Sequence, residues 1–417
     1  MIEKILARRS GKREVRPGDV VVAEVATVIF HDLSSYLTGQ VFEKEIKNPR
    51  ILRPESVVVC FDHFFSPATE EGANILKADR EFVKRFGIKN FFDSGAGNCH
   101  YVPIERGLIL PGTVVVGSDS HTPVHGALGA FATGIGNNSI AAMALPMGKA
   151  WFRVPPTVEI RLEEKLPLGV TPRDVCQHLT GGLGEEAMNY KAVEYTGSLI
   201  KSLEMPDRIL FPLMSIDVGS KAGFIEPDDK TITFVRQRTN QPFEVFKNDP
   251  DVTYEKRCEF DVSKLVPQIA CPPTVGNVKP VAEVAGTPIT HAEIGASTGG
   301  RIEDLRMAAR VLKGRKVHPE VRLQVVPLTR EIFKQALREG LVETLHDAGA
   351  NFFPAGSGSN QATNMGALAP GQTMICTLPR NFPGRHGSKE AKVYLASSYT
   401  VAASAIKGRI ADPREFL

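Results

Sequence analysis

The sequence is poor in cysteine and contains no closely spaced cysteine pair. Six cysteines occur in 417 residues, and no two of them form a CxxC motif. Structural zinc sites and disulfide frameworks rely on such clusters, so the spacing predicts neither of them. Each cysteine is expected to be a small buried side chain instead. The six are Cys60, Cys99, Cys176, Cys258, Cys271 and Cys376.

Long apolar runs are also missing. No stretch approaches the roughly 20 apolar residues that a membrane-spanning helix needs, so no contact with a membrane is expected. The N-terminal segment is basic but soon becomes charged and rich in Gly and Pro, without the apolar core of a secretory signal peptide. We therefore expect a cytoplasmic protein.

Neither sign of charge is in large excess. The 50 Lys and Arg residues are interspersed with 47 Asp and Glu residues, which gives a formal net charge of +3. A nucleic-acid-binding protein would be expected to concentrate its positive charge, so this balance argues against nucleic acid as a partner. Small anionic substrates remain compatible with it, because a few arginines in a cleft suffice to bind them.

Short β-branched runs alternate with amphipathic helical patterns along the chain, which predicts an α/β fold with mostly parallel sheets. The length exceeds what one hydrophobic core usually organises. Proline-rich segments near residue 154 and over residues 270–290 indicate domain boundaries, so we expect domains at 1–154, 155–275 and 276–417. Strands are predicted at 20–30, 55–62, 113–119, 157–162, 321–328 and 373–378. Helices are predicted at 70–87, 139–152, 171–184, 301–314 and 329–349.

The most distinctive segment covers residues 117–144. A predicted strand runs into Asp119, Ser120 and His121, and a glycine-rich bend and a helix of small residues follow. Ligands of α/β proteins collect beyond the carboxyl ends of strands, and a helix start favours an anion. A functional site is one interpretation of this segment. A strand, turn and helix with hydrogen-bonded polar caps is the other.

Histidine lies beside or near aspartate at three further strand ends. The three places are His31-Asp32, Asp62-His63 and the His100 that follows FFDSGAGNC. Such a pair can hold or transfer a proton near neutral pH. Any one of them alone is more typical of a hydrogen-bonded core histidine, but three together favour acid–base chemistry.

Three arginines and one carboxylate complete the candidate set. Arg301 opens a predicted helix after a Gly/Ser/Thr-rich loop, and Arg380 and Arg385 lie in a Pro/Gly-rich loop. Arginine suits bidentate binding of a carboxylate, although surface salt bridges are the usual role of such residues. Glu194, in the segment NYKAVEYTG, is a weak candidate by itself.

Several of these segments resemble the aconitase superfamily, in particular its isopropylmalate-dehydratase and homoaconitase large subunits. The matching strings are GSDSHTPVHGALGAFATGIG, VEYTG, KAGFIEPDD, IGASTGGRIEDLR and RNFPGRHG, and the C-terminal ASSYTVAASAIKGRIADPREF also fits. The resemblance runs from about residue 20 to the last residue. It implies three-layer α/β/α domains.

The resemblance also implies an activity and a partner. The activity is that of a hydro-lyase or isomerase acting on a small hydroxy-di- or tricarboxylate. The swivelling domain of the family, which carries a catalytic serine, is expected on a separate small subunit. The implied catalytic residues are Asp62, His63, His100, Asp119, Ser120, His121 and Glu194. The implied substrate-binding residues are Arg301, Arg380 and Arg385.

The sequence departs from the family where the family binds a 4Fe–4S cluster. Ser297, Ser357 and Asn360 stand at the usual positions of the three cysteine ligands, and Pro379 replaces a usual asparagine. Serine and asparagine cannot replace thiolates around a cluster, so we expect none. A cluster held by displaced cysteines is disfavoured, because no close cysteine pair exists.

Two catalytic routes without a cluster stay open. Asp62 and His63 can act as a general acid without metal. Alternatively, Asp119, His121, His100 or Asp62 can hold one divalent cation. A third interpretation is a catalytically silent subunit that binds a carboxylate or regulates a partner. The retained Asp, His and Arg residues favour an enzyme.

Overall fold

The computed structural model describes residues 1–64, 66–136, 139–362 and 365–417, and its strands form four sheets. In a five-stranded sheet every neighbouring pair is parallel. Its strands, in spatial order, are Asn90–Phe92, Val57–Cys60, Thr27–His31, Val114–Gly117 and Phe131–Gly134. The predicted α/β class with mostly parallel sheets is therefore confirmed.

Helices cover both faces of this sheet. Val28 and Phe30 enter one apolar core together with the helices Ile2–Ser10, Asp32–Glu45 and Glu70–Phe86. Ile29, between them, enters another core on the opposite face. Successive side chains of a strand point to opposite faces, so the two cores lie on the two sides of one sheet. This is the expected α/β/α layering.

Two more sheets are largely parallel. A four-stranded sheet contains Ala222–Phe224, Ala192–Thr196, Thr157–Glu163 and Lys256–Asp261. A seven-stranded sheet contains Val278–Pro280, Gln268–Ala270, Lys392–Ala396, Thr373–Cys376, His291–Ile294, Arg322–Val325 and Asn351–Phe352. In the latter, Gln268–Ala270 pairs antiparallel with Val278–Pro280 and with Lys392–Ala396, and the other described pairs are parallel. The fourth sheet is a short antiparallel ribbon of Val20–Glu24 and Lys149–Arg153.

The helix Glu70–Phe86 illustrates how the sequence sets its own limits. The Thr69 side chain accepts a hydrogen bond from the Gly72 amide at the first turn, and Gly87 ends the helix with φ of 67°. Glycine adopts this left-handed conformation without the steric cost of a side chain. The remaining α-helices are Val102–Glu105, Ser139–Met147, Pro172–Leu183, Ser198–Ser202, Met205–Arg208, Leu210–Met214, Asp229–Arg236, Ile302–Leu312, Arg330–Arg338, Leu341–Asp347 and Ser398–Lys407.

The structure corrects three predicted elements. The predicted helix at 329–349 is two helices, Arg330–Arg338 and Leu341–Asp347, since Gly340 adopts φ of 70°. The predicted strand at 20–30 is two strands, because Val20–Glu24 alternates between exposed and buried and pairs in the ribbon, whereas Thr27–His31 is buried throughout. The predicted helix at 139–152 ends at Met147, since Gly148 adopts φ of 60° and a strand follows. Between the strand and the helix of residues 117–144, the predicted glycine-rich bend contains a 3-10 helix and the strand Phe131–Gly134. Residues 137 and 138 lie outside the described residues.

The predicted domain ranges 1–154, 155–275 and 276–417 stay a proposal. Each of the three larger sheets draws its strands from one of these ranges, with one exception. Gln268–Ala270 joins the seven-stranded sheet although it precedes residue 276. In the described part of the chain, no helix combines the length and the apolar character that crossing a bilayer would require.

Candidate active site

The candidate site lies where neighbouring parallel strands end. His31 pairs with Cys60, and Ile29 pairs with Gly117, so the carboxyl ends of three strands meet at one edge of the five-stranded sheet. The segments that follow these strands face loops around residues 297, 357 and 380. Together they enclose a cavity of about 180 Å³. Its lining residues are His63, Asn98, His100, Asp119, Ser120, His121, Ala296, Ser297, Ser357, Asn360, Pro379, Arg380, Phe382 and Arg385.

Asp62 is a fully buried carboxylate held by four hydrogen-bond donors. Its Oδ1 lies 2.9 Å from Nδ1 of His63. Its Oδ2 accepts from Asn98 Nδ2 at 3.0 Å, from the Cys99 amide at 2.9 Å and from Ser357 Oγ at 2.7 Å. Burial opposes its charge, but His63, with smaller contributions from His31 and the Cys99 amide, lowers the pKa of Asp62 below its usual value. The carboxylate is therefore ionised and fixed in orientation.

His63 is the cationic partner of this carboxylate. Burial disfavours the charged imidazole, but the adjacent Asp62, with contributions from Asp32 and Asp119, raises the pKa of His63 above its ordinary value. Asp32 also fixes the local backbone, because its Oδ2 accepts from the amides of His63 at 2.9 Å and Phe64 at 2.6 Å. His63 thus presents a protonated ring to the cavity.

His31, Asp32, Asp62 and His63 lie close enough together to resemble a metal site, since one ligand atom from each falls within 4.8 Å of the others. Both oxygens of each carboxylate already accept hydrogen bonds, however. The His31 and His63 rings stack with their centroids 4.2 Å apart. This group therefore acts as a hydrogen-bonded support beneath the cavity.

Asp119 forms a second carboxylate–imidazole cluster. Its Oδ1 lies 2.9 Å from Nε2 of His100 and accepts from the His121 amide at 2.9 Å. Burial alone would raise the pKa of Asp119, but these two histidines bring it well below its usual range. Burial, helped by the charge of Arg380, lowers the pKa of His121 and keeps its ring neutral. His100, Asp119 and His121 offer three ligand atoms within 4.8 Å of one another, so they could hold one divalent cation.

Two of the three predicted arginines reach the cavity. Arg380 forms an ion pair with the buried carboxylate of Asp217. Arg385 donates from Nε at 3.2 Å and from Nη2 at 2.8 Å to the amide oxygen of Asn360. Among the described residues, no carboxylate lies within ion-pair distance of Arg385, so its charge is available to an anion in the cavity.

The structure does not bring Arg301 to the site. Its guanidinium is buried and donates to Asp304 at 2.8 and 3.1 Å, to Asp207 at 3.1 Å and to the Pro206 carbonyl at 2.7 Å. Four donor contacts within the protein leave little capacity for a substrate. The substrate-binding role implied for Arg301 therefore does not agree with its position. Its contacts instead fix the start of the helix Ile302–Leu312.

Glu194 also lies elsewhere. It faces a separate cavity of about 310 Å³, which shares no lining residue with the candidate site. Asn248 Nδ2 donates to its Oε1 at 2.7 Å, and the Tyr254 hydroxyl donates to its Oε2 at 3.0 Å. Burial raises the pKa of Glu194 to about 7. The catalytic role implied for it is not supported by this position.

Sequence reasoning missed two residues of the site. Asn98 donates to Asp62 and to Ser357, and its Oδ1 accepts from the His100 amide. Its position two residues before His100 was a usable signal. Asp217 lies in a short 3-10 helix and pairs with Arg380. Nothing in its local sequence distinguishes Asp217 from a surface aspartate.

Comparison with known proteins adds a family to this geometry. The sequence profile of the Aconitase family (aconitate hydratase) matches residues 8–408. The 3-isopropylmalate dehydratase large subunit 1 of Methanopyrus kandleri is 44% identical, over 100% of this chain and 99% of that relative. The probable methanogen homoaconitase large subunit of Methanothermobacter thermautotrophicus is 42% identical, over 100% and 97%. The crystal structure of Thermococcus kodakaraensis aconitase X in its holo form aligns with a TM-score of 0.47 at 11% identity, over 86% of this chain and 84% of that chain.

Proposed function

The chain belongs to the aconitase family, and we propose that it is the large subunit of a hydro-lyase that dehydrates or hydrates a small hydroxy-di- or tricarboxylate without a 4Fe–4S cluster. One observation carries the proposal. A protonated His63, an ionised Asp119 and Arg385, which forms no ion pair with a carboxylate among the described residues, face one cavity of about 180 Å³. A general acid that protonates the departing hydroxyl and a cation that binds the substrate carboxylate are two of the groups that elimination of water from a hydroxy acid requires.

The names of the relatives support the substrate class and the partner. The relatives from Methanopyrus kandleri and Methanothermobacter thermautotrophicus are named large subunits of 3-isopropylmalate dehydratase and homoaconitase. By this likeness the chain works with a small subunit that carries the swivelling domain. The base that removes the proton from carbon is expected on that subunit.

The residues around the cavity do not fit a 4Fe–4S cluster. None of the described lining residues is a cysteine. Ser357 and Asn360, which stand at two of the usual ligand positions, are already hydrogen-bonded to Asp62 and Arg385. Burial raises the pKa of the Cys60 and Cys99 thiols well above the ordinary value, which disfavours the thiolates that a cluster needs.

His63 takes the role of general acid in this proposal. Hydroxide is a poor leaving group, so the hydroxyl oxygen must receive a proton as its bond to carbon breaks. His63 supplies that proton, and Asp62 stabilises the imidazolium beforehand and holds the ring. Arg385 and Arg380 bind the substrate carboxylate and stabilise the negative charge that develops beside it when the carbon loses its proton.

A single divalent cation is the second candidate for the role of electrophile. The observation that favours it is the group His100, Asp119 and His121, whose ligand atoms lie within 4.8 Å of one another. Such an ion would supply Lewis-acid assistance to the departing hydroxyl. In that case Asp119 and the two histidines would hold the ion, and His63 would still supply the proton.

The test is anoxic purification with the candidate small subunit, followed by analysis for iron, acid-labile sulfide and other metals. Turnover of a panel of hydroxy-di- and tricarboxylates is then measured before and after treatment with EDTA. We expect negligible iron and sulfide together with turnover. Loss of turnover in EDTA with recovery on adding one divalent metal selects the second candidate. Stoichiometric iron and sulfide would contradict the proposal, and complete inactivity on the panel would favour a silent carboxylate-binding subunit.

A further inference from the structure

Two side chains in the loop after the strand Asn351–Phe352 contact the proposed acid and the proposed anion-binding group. Ser357 contacts Asp62, and Asn360 contacts Arg385. We propose that Ser357 and Asn360 are positioning residues, Ser357 for the Asp62–His63 pair and Asn360 for Arg385. The inference rests on the proposed function and names the residues that make the site operate without thiolate ligands.

Ser357 fixes Asp62 through both its main chain and its side chain. The Ser357 amide donates to the Asp62 carbonyl at 3.0 Å, and Ser357 Oγ donates to Asp62 Oδ2 at 2.7 Å. The same hydroxyl accepts from Asn98 Nδ2 at 2.9 Å. Ser357 is only 2% exposed, so water has little access to replace the hydroxyl. A side chain with a hydroxyl group is therefore required here by hydrogen bonding.

The consequence for His63 follows from the geometry of Asp62. A carboxylate that accepts hydrogen bonds on both oxygens cannot rotate without losing several of them. Asp62 Oδ1 therefore stays opposite His63 Nδ1, and the ring stays oriented toward the cavity. Removing the Ser357 hydroxyl takes away one of the four hydrogen-bond donors to Asp62 and one of the acceptors of the Asn98 amide. The acid should then be present but less well aligned, which lowers the rate of the chemical step.

Asn360 acts on Arg385 by a different means. Its amide oxygen accepts from both Nε and Nη2 of Arg385, which sets the plane of the guanidinium. The amide is neutral, so it orients the cation without forming an ion pair. A carboxylate at this position would bind Arg385 more strongly and cancel the charge that an anionic substrate needs. The chemistry therefore favours asparagine over aspartate at residue 360.

The experiment compares five variants of the chain, each assembled with its small subunit. Ser357→Ala should lower kcat about 10-fold or more with KM within about twofold, since a hydrogen bond to a charged group is lost. Ser357→Thr, which keeps the hydroxyl, should recover most of that loss. Asn360→Ala should raise KM about 10-fold with a smaller effect on kcat, and Asn360→Asp should raise KM further. Ser359→Ala, a buried serine of the same loop that does not line the cavity, is the matched control and should behave as wild type.

The split between kcat and KM separates positioning from general loosening of the loop. The inference is overturned if wild type turns over and Ser357→Ala and Asn360→Ala keep both parameters. It is equally overturned if each variant shows both a lower kcat and a higher KM, the melting temperature falls, and Ser357→Thr does not restore activity. If Ser357→Ala does not fold, the contrast between Asn360→Ala and Asn360→Asp still decides the inference for Arg385. Absence of turnover by wild type, in contrast, contradicts the proposed function itself and removes the premise.

Discussion

Arg301 and Asp304 form a bidentate ion pair inside the protein, with Nε 2.8 Å from Oδ2 and Nη2 3.1 Å from Oδ1. Both side chains are almost completely buried. The pair lies at the first turn of the helix Ile302–Leu312, where Asp304 also accepts from the Arg301 amide at 3.1 Å. Asp304 therefore caps the start of the helix and occupies the Arg301 guanidinium, which the sequence had suggested for substrate binding.

Arg301→Ala should therefore reduce stability without changing substrate affinity. Removing one partner leaves Asp304 buried without its counter-charge, which costs on the order of 3–5 kcal/mol. We expect a large fall in the denaturation midpoint, measured with urea, and a KM near that of wild type in the fraction that folds. Asp304→Asn in the same background should restore part of the loss, because it removes the uncompensated charge. A KM that rises strongly while stability is unchanged would return Arg301 to the substrate site.

Glu194→Gln should leave turnover within about twofold of wild type, since its cavity is separate from the candidate site. The Gln carbonyl oxygen can still accept from Asn248 Nδ2, and the Gln amide can donate to the oxygen of the Tyr254 hydroxyl in place of the lost acceptor, so the fold should tolerate the change. Asp119→Asn is the comparison, because it weakens the interaction with His100 inside the site and should lower kcat/KM by about 100-fold or more. Equal losses in the two variants would mean that Glu194 takes part in the reaction.

The position of the site could be predicted from sequence for a physical reason. Asp62 and Asp119 directly follow apolar strands, and parallel strands deliver such residues to one edge of the sheet. The partners could not be predicted in the same way. Ser357 lies 295 positions from Asp62, and Arg380 lies 163 positions from Asp217, so only the assembled fold brings these pairs together.

The fold shows the same limit at the level of elements. Alternation of β-branched runs with amphipathic segments was sufficient for the α/β class. The run at 20–30 is apolar except for Glu24 and Thr27, and both halves suit a strand. Its division between the ribbon and the central sheet depends on Lys149–Arg153, which pairs with the first half only. Local pattern cannot report a partner strand so distant in sequence.

Arg385→Lys should raise KM at least about 10-fold. Asn360 fixes the orientation of Arg385 by accepting from two nitrogens of its planar guanidinium. Lysine keeps the positive charge but has a single nitrogen, so it cannot be oriented in this way and cannot bind a carboxylate with two parallel hydrogen bonds. Steady-state kinetics with a dicarboxylate substrate measures the effect. Arg80→Lys, an exposed arginine paired with Asp93, is the matched control and should have wild-type kinetics. Unchanged KM in Arg385→Lys would count against binding of the substrate carboxylate by Arg385.

Asp79 gives a prediction about stability that is independent of the proposed reaction. It lies on the helix Glu70–Phe86 and is 1% exposed. Burial raises its pKa to about 8 and the nearby charge of Asp32 adds to the effect, whereas a hydrogen bond from the Ser35 side chain and the charge of Arg80 oppose it. In the unfolded chain the carboxyl has an ordinary pKa of about 4. The folded state therefore binds the proton more tightly, and the stability it contributes is present at low pH and lost as pH rises through the window from about 4 to about 8.

Asp79→Asn removes this titration and keeps the shape of the side chain. The free energy of unfolding of the variant, minus that of wild type, should increase with pH by up to about 1.4 kcal/mol per pH unit between pH 5 and pH 7.5. The reason is that wild type releases the Asp79 proton when it unfolds in this range, whereas the variant has no such proton. Above about pH 8 the difference should level off. Urea denaturation at a series of pH values measures it, and Glu81→Gln on the exposed side of the same helix is the control. A difference that does not change with pH would show that Asp79 is ionised in the folded protein, so that the Ser35 hydrogen bond and the charge of Arg80 outweigh the effect of burial.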